Sequence, residues 1–326
     1  LNVKGNFINN SKNLLRLLNN ASANVTFNVD GDITLSDEGK LDLGVSGTSA
    51  TNVKGDVSVA SGALLNASAS GATTTFNFTG IGNGSTAATT QTINIATTAV
   101  AKNQYVNFAS KSGSYVQLAN NLTLGTNGKF TTEAGSVFDT QTNVISGPSF
   151  VTAATSTVTT NNTGGLTGAI TATPTYAAGT HYIFNAATTT PFPTDTFANP
   201  ANVTTNANVT LNRNIAPTGN VTVNSGIFDL DTYTIDRATS GSIITLGNGA
   251  TLKINGTNGF PANYASQVFN TNSTVHFAGD NQPVKKLTAE YYNVRLSGTG
   301  AKTFDNETIV GNNLTLENGP SVALTA

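Results

Sequence analysis

Short alternating segments run the length of the chain, with apolar residues at every second position and Thr, Ser or Asn between them. Phe76-Asn77-Phe78-Thr79 and Thr92-Ile93-Asn94-Ile95 are examples. A period of two places one set of side chains on each face of an extended strand, so the pattern predicts many short strands. A longer period overlies it. The pentapeptides Asn2-Val3-Lys4-Gly5-Asn6, Asn28-Val29-Asp30-Gly31-Asp32 and Asn52-Val53-Lys54-Gly55-Asp56 are spaced 26 and 24 residues apart. Relaxing the motif to a polar pair followed by apolar, small polar and apolar residues adds Asn120-Asn121-Leu122-Thr123-Leu124, Gly219-Asn220-Val221-Thr222-Val223 and Asn312-Asn313-Leu314-Thr315-Leu316. A looser copy is Ser242-Ile243-Ile244-Thr245-Leu246. Turn glycines such as Gly62, Gly128, Gly226 and Gly249 follow the copies, and a second alternating stretch follows each glycine.

A unit of about 20–26 residues that reads strand, tight turn, strand and return is one coil of a β-solenoid. A single coil cannot bury its apolar face, whereas stacked coils share a continuous core. The fold class expected is all-β, a right-handed parallel β-helix, the hand being the default for parallel crossovers. With strands stacked about 4.8 Å apart, about thirteen coils would give a rod on the order of 60 Å long. An antiparallel sandwich array could use the same strand lengths, but the recurring motif-to-glycine offset fits stacked coils better. No linker or charge block divides the chain, so residues 1–326 read as one solenoid segment. Because it starts at Leu1 and contains no methionine, it reads as part of something longer. Two stretches break the register. Residues 11–20, with Leu14, Leu15, Leu17 and Leu18, fit either a helical cap or a bulged strand. Residues 152–200, with Pro174, Pro191, Pro193 and Pro200, read as longer loops bulging from one side.

Composition adds the chemistry of the corners. The 55 threonines suit strands because the branched Cβ is stiff, and the 43 asparagines and 32 glycines suit turns. Asparagines at equivalent corners are expected to form ladders of side-chain amides from coil to coil. A net charge of -2 with 15 basic residues leaves no electrostatic footprint for nucleic acid. No cysteine is present for disulfides, thiolate chemistry or sulfur-ligated zinc, and no apolar run approaches the roughly 18 residues of a membrane span.

Candidate reactive groups are few. His181 and His276 each lack a second histidine nearby in sequence. The richest acidic stretch is Asp30, Asp32, Asp37, Glu38 and Asp42, whose oxygens would meet at a calcium ion if the coil turned sharply after Leu35. The alternative is a solvated turn. Asp229, Asp231 and Asp236 form a second such set, and Asp195 is the only acid within 152–200. Tyr291 and Tyr292 offer rings for stacking on sugars, although strand alternation turns one of the pair inward. Thr-x-Thr pairs such as Thr171 to Thr173 do not recur at the coil period, which argues against an ice-binding face.

The runs Val275-His276-Phe277-Ala278-Gly279-Asp280-Asn281-Gln282-Pro283 and Tyr291-Tyr292-Asn293-Val294-Arg295-Leu296-Ser297-Gly298-Thr299-Gly300-Ala301-Lys302-Thr303-Phe304, followed by Asn313-Leu314-Thr315-Leu316, carry a family likeness. They resemble the β-helical repeat regions of large secreted, adhesin-like surface proteins of Bacteroidota, cargo of the type IX secretion system. The resemblance extends over most of the chain and implies a secreted or cell-surface location with surface glycans or other surface proteins as partners. The expectation is a non-enzymatic structural or adhesive module without catalytic residues or cofactor. Its alternatives are a carbohydrate-binding or carbohydrate-cleaving β-helix and a self-assembling filament or sheet subunit.

Overall fold

The structure is a computed structural model that describes residues 1–17, 24–44, 47–67, 73–80, 90–96, 105–195 and 197–325. Two compact units are present, Leu1–Thr160 with Gly168–Ala177 and Asn161–Thr167 with Ala178–Ala326. Each is a parallel β-solenoid, and the described residues make about 13 turns in all.

In the first unit, one sheet stacks Asn2–Val3, Asn24–Val29, Thr48–Val53, Thr73–Phe78, Val106–Ser110, Lys129–Thr132, Ser149–Thr152 and Pro174–Thr175. A second face stacks Phe7–Asn9, Ile33–Leu35, Val57–Val59, Thr90–Ile95, Tyr115–Leu118, Val137–Asp139 and Thr157–Thr160. Shorter strands, Leu14–Arg16, Lys40–Asp42 and Leu64–Asn66, close a third face. Register follows the repeat. Asn2 lies beside Asn28, Asn28 beside Asn52 and Asn52 beside Asn77, so the sequence period is the coil length. Phe76, Phe108, Phe130 and Phe150 are fully buried partners on four successive strands, with ring centroids 5.9, 6.4 and 5.9 Å apart. Stacking identical large rings in register fills a narrow core without voids.

The second unit stacks His181–Phe184, Val203–Thr205, Val221–Val223, Gly241–Leu246 and Tyr264–Phe269 on one face. Val209–Thr210, Ile227–Asp229, Thr251–Ile254, Thr274–Phe277, Tyr291–Leu296 and Val310–Leu316 form another. On its third face, Gln282–Val284, Ala301–Phe304 and Ser321–Leu324 stack in that order.

Both irregular stretches are more regular than their sequences suggest. Leu14–Arg16 is a strand paired with Lys40–Asp42, while Leu18 lies outside the described residues. Within 152–200, Pro174 pairs with Phe150 on the last strand of its sheet, where a missing N–H costs no ladder bond. The short helix Gly165–Ala169 precedes that strand and the strand His181–Phe184 follows. The longest irregular runs, 189–195 and 197–202, follow a bridge between Thr188 and Val209.

Candidate functional site

The acidic residues of the first coils take up separate tasks. Lys4, Asp30 and Lys54 each follow a valine of one ladder, so they occupy the same place in three successive coils. Asp30 sits 2.8 Å from the Lys54 ammonium and 3.2 Å from that of Lys4, and these two cations, Lys54 first, hold its carboxyl below the usual range. Asp32 points elsewhere, its Oδ1 accepting the Asp56 N–H at 2.8 Å. Asp37 is a turn residue with φ 52°, and Glu38 pairs with Lys12 at 3.0 Å. Asp42 is buried, 3.0 Å from Arg16 Nε, and accepts the Gly44 N–H at 3.1 Å. In the second set, Asp229 accepts from Lys253 at 2.8 Å and Asn255 at 2.6 Å, Asp231 is a turn residue with φ 49°, and Asp236 accepts the Ala262 N–H at 2.7 Å. Among the described residues, no three His, Cys, Asp or Glu side chains group to hold a metal ion.

The Asp32 contact is one instance of a general device. An Asn or Asp Oδ1 at a corner accepts a backbone N–H from the following coil, which satisfies a donor the turn leaves outside the ladder. Asn6 does this for Asp32 at 2.9 Å and Asp56 for Thr92 at 2.7 Å. Asn121 serves Val144 at 2.9 Å, Asn202 serves Asn220 at 2.7 Å, and Asn220 serves Ile243 at 3.0 Å. Asn208, Asn214 and Asn281 act likewise on Ile227, Thr234 and Ala301. The glycine before the acceptor has a steric cause. A Cβ on Gly31 would lie 2.0 Å from Asn6 Oδ1, on Gly55 2.1 Å from Asp32 Oδ1, and on Gly219 2.2 Å from Asn202 Oδ1. The pairing of glycine with Asn or Asp was the sequence signal for these clips.

Amide ladders run beside them. Asn28 Nδ2 donates to Asn2 Oδ1 at 2.7 Å, Asn52 to Asn28 at 2.8 Å and Asn77 to Asn52 at 2.8 Å. A second ladder joins Asn224, Asn206 and Asn185 at 2.7 and 2.6 Å.

The residues that carry the family likeness also join coil to coil. His276 Nε2 lies 2.7 Å from Ser297 Oγ, both buried, and burial, with Arg295 and then Lys253 adding to it, lowers the imidazole pKa to about 4. Gln282 is fully buried. Its Oε1 accepts the Gly279 N–H at 2.7 Å, while Nε2 donates to Ile254 O at 3.1 Å and Asn258 O at 2.9 Å. The buried Lys302 ammonium donates to Gln282 Oε1 at 2.9 Å and to Gly279 O, and burial lowers its pKa. Gln91 repeats this arrangement in the first unit, accepting from Gly80 N and donating to Val53 O and Gly55 O. Tyr291 is buried and donates to Lys285 O at 2.8 Å, while Tyr292 remains half-buried on the other face.

His181 has an Asn202 amide about 3.3 Å from its ring nitrogens, and burial lowers its pKa. Asp195 is exposed, and its carbonyl accepts from Arg213 at 3.0 Å. A groove of about 360 Å³ runs between the Asn2, Asn28, Asn52 ladder and the Lys4, Asp30, Lys54 column. In the second unit, a pocket of about 140 Å³ is lined by Tyr233, Asp236, Asn258, Pro261, Pro283 and Lys285, among others. Among the described residues, no helix is long and apolar enough to cross a membrane. No known family model, curated protein or solved structure matches the chain.

Proposed function

We propose that the chain is a structural and adhesive module of an extracellular or cell-surface protein, a stiff stack of coils that presents low-charge polar faces to other surfaces. The observation that carries this reading is the employment of its chemistry-bearing side chains. Gln282, Lys302, His276, Ser297 and the corner acids bond from coil to coil. The polar groups most able to react thus support the reading by serving the scaffold. The resemblance to secreted surface repeats points the same way. Incubation of the purified chain with immobilised extracellular glycoproteins and with a panel of soluble polysaccharides tests it. The expected result is retention on the surfaces with no release of reducing ends. Polysaccharide cleavage that a single Asp or Glu substitution abolishes would overturn it.

A further inference from the structure

The small pocket of the second unit combines apolar side chains with polar groups anchored to its own backbone. It arises where the third face lacks a continuous sheet. Gln282–Val284 pairs with Ala301–Phe304 on one side only, and 258–262 on its other side is not a strand. Pro261, Pro283 and Tyr233 line the resulting cleft, and the two prolines bring no N–H to it. Its base is firm. Ile235 and Phe260 are buried there, and the Tyr264 hydroxyl donates to Ile235 O at 2.8 Å.

Polar groups stand among these residues. Asp236 uses Oδ1 to accept from Ala262, and Asn258 uses Nδ2 to donate to Thr232 O and Tyr233 O. These bonds fix both side chains and leave Asp236 Oδ2 and Asn258 Oδ1 as acceptors. Among the described residues, no hydrogen bond or ion pair engages the Lys285 ammonium or the Tyr233 hydroxyl. Apolar ring faces with a few fixed acceptors and a donor suit a pyranose, which has apolar C–H faces and an equator of hydroxyls. The charges of Asp236 and Lys285 cancel, which favours a neutral sugar. A volume of about 140 Å³ admits one ring.

We propose that this pocket binds a single neutral pyranose unit of a surface glycan, with the ring against Tyr233 and the prolines and hydroxyls on Asp236, Asn258 and Lys285. The proposal rests on the adhesive reading and supplies it with a contact point. A shallow, one-ring site implies a Kd on the order of 1 mM.

Saturation-transfer NMR on the full chain with methyl glucoside, galactoside, mannoside and glucuronide is the test. At least one neutral glycoside is expected to receive saturation. Y233A should abolish the signal, and D236N, whose Oδ1 still accepts from Ala262, should weaken binding at least tenfold. Amide spectra would establish that both variants remain folded. No transfer to any neutral glycoside, transfer to the glucuronide alone, or full binding by Y233A would overturn the assignment. Surface retention measured on the same variants separates the two claims. Retention that survives Y233A leaves the adhesive reading standing without this site, and sugar binding without retention by the wild-type chain does the reverse.

Discussion

At the scale of single residues, the corner glycines and their acceptors explain why the repeat contains the letters it does. Gly55 has no room for a side chain, since a Cβ would lie 2.1 Å from Asp32 Oδ1 and 2.6 Å from the Gly31 carbonyl carbon. Gly5, at the same place in the first coil, has nothing within 4 Å. G55A is therefore expected to destabilise the protein by about 1–3 kcal/mol and G5A by less than about 0.5 kcal/mol in urea titrations. Equal effects would show that backbone freedom rather than crowding selects the glycine. His276 gives a pH signature. Its pKa falls to about 4 from 6.5, mainly through burial, so the unfolded chain binds a proton that the folded protein rejects between those values. Stability therefore declines as pH drops from 6.5 toward 4, by on the order of 2–3 kcal/mol, and the loss levels off below that range. H276Q does not titrate. Urea midpoints at pH 7, 5.5 and 4 should fall more steeply for the wild type than for this variant, and parallel declines would assign the acid sensitivity to other groups.

At the scale of elements, ladders determine which substitutions matter. Asn28 both donates and accepts within its ladder, so N28A leaves a partner unpaired on each side. Asn77 ends the ladder opposite Ala109, and its own Oδ1 is buried without a partner. N77A removes that unsatisfied group along with one bond. N28A is expected to cost about 1–2 kcal/mol and N77A less than about 0.5 kcal/mol, although Asn77 is the more buried residue. Thermal denaturation of the two variants decides this, and a larger loss for N77A would refute it. Strand identity, coil length and the inward turn of the aromatic residues were legible in the sequence because alternation and repetition are local patterns. The strands at Leu14–Arg16 and Pro174–Thr175 were harder to see. Their pairing is set by neighbours about one coil away, and a run of leucines or a proline reads as a break when those neighbours are not considered. The acids of the proposed calcium set were ambiguous for the same reason. Asp32 has the same neighbours in sequence whether its carboxylate meets a cation or the N–H of Asp56, 24 residues later.

At the scale of the whole molecule, each coil contacts chiefly the coils before and after it, so stability is a sum of local and nearest-neighbour contributions. Phe130 touches Phe108, Phe138 and Phe150. F130A is expected to cost about 3–5 kcal/mol. Hydrogen exchange should locate the damage in the neighbouring coils of the first unit, while amides of 203–296 keep their protection. Uniform deprotection of both units would mean that the chain unfolds as one cooperative body.

The corner clips share a direction. In those formed by Asn6, Asp32, Asp56, Asn121 and Asn202, the acceptor belongs to the earlier coil and the N–H to the later one. A chain that emerges amino end first, as from a ribosome, thus brings out each acceptor before the donor it will receive. Each finished coil then already holds acceptors for the next, an arrangement suited to vectorial growth in which folding keeps pace with emergence.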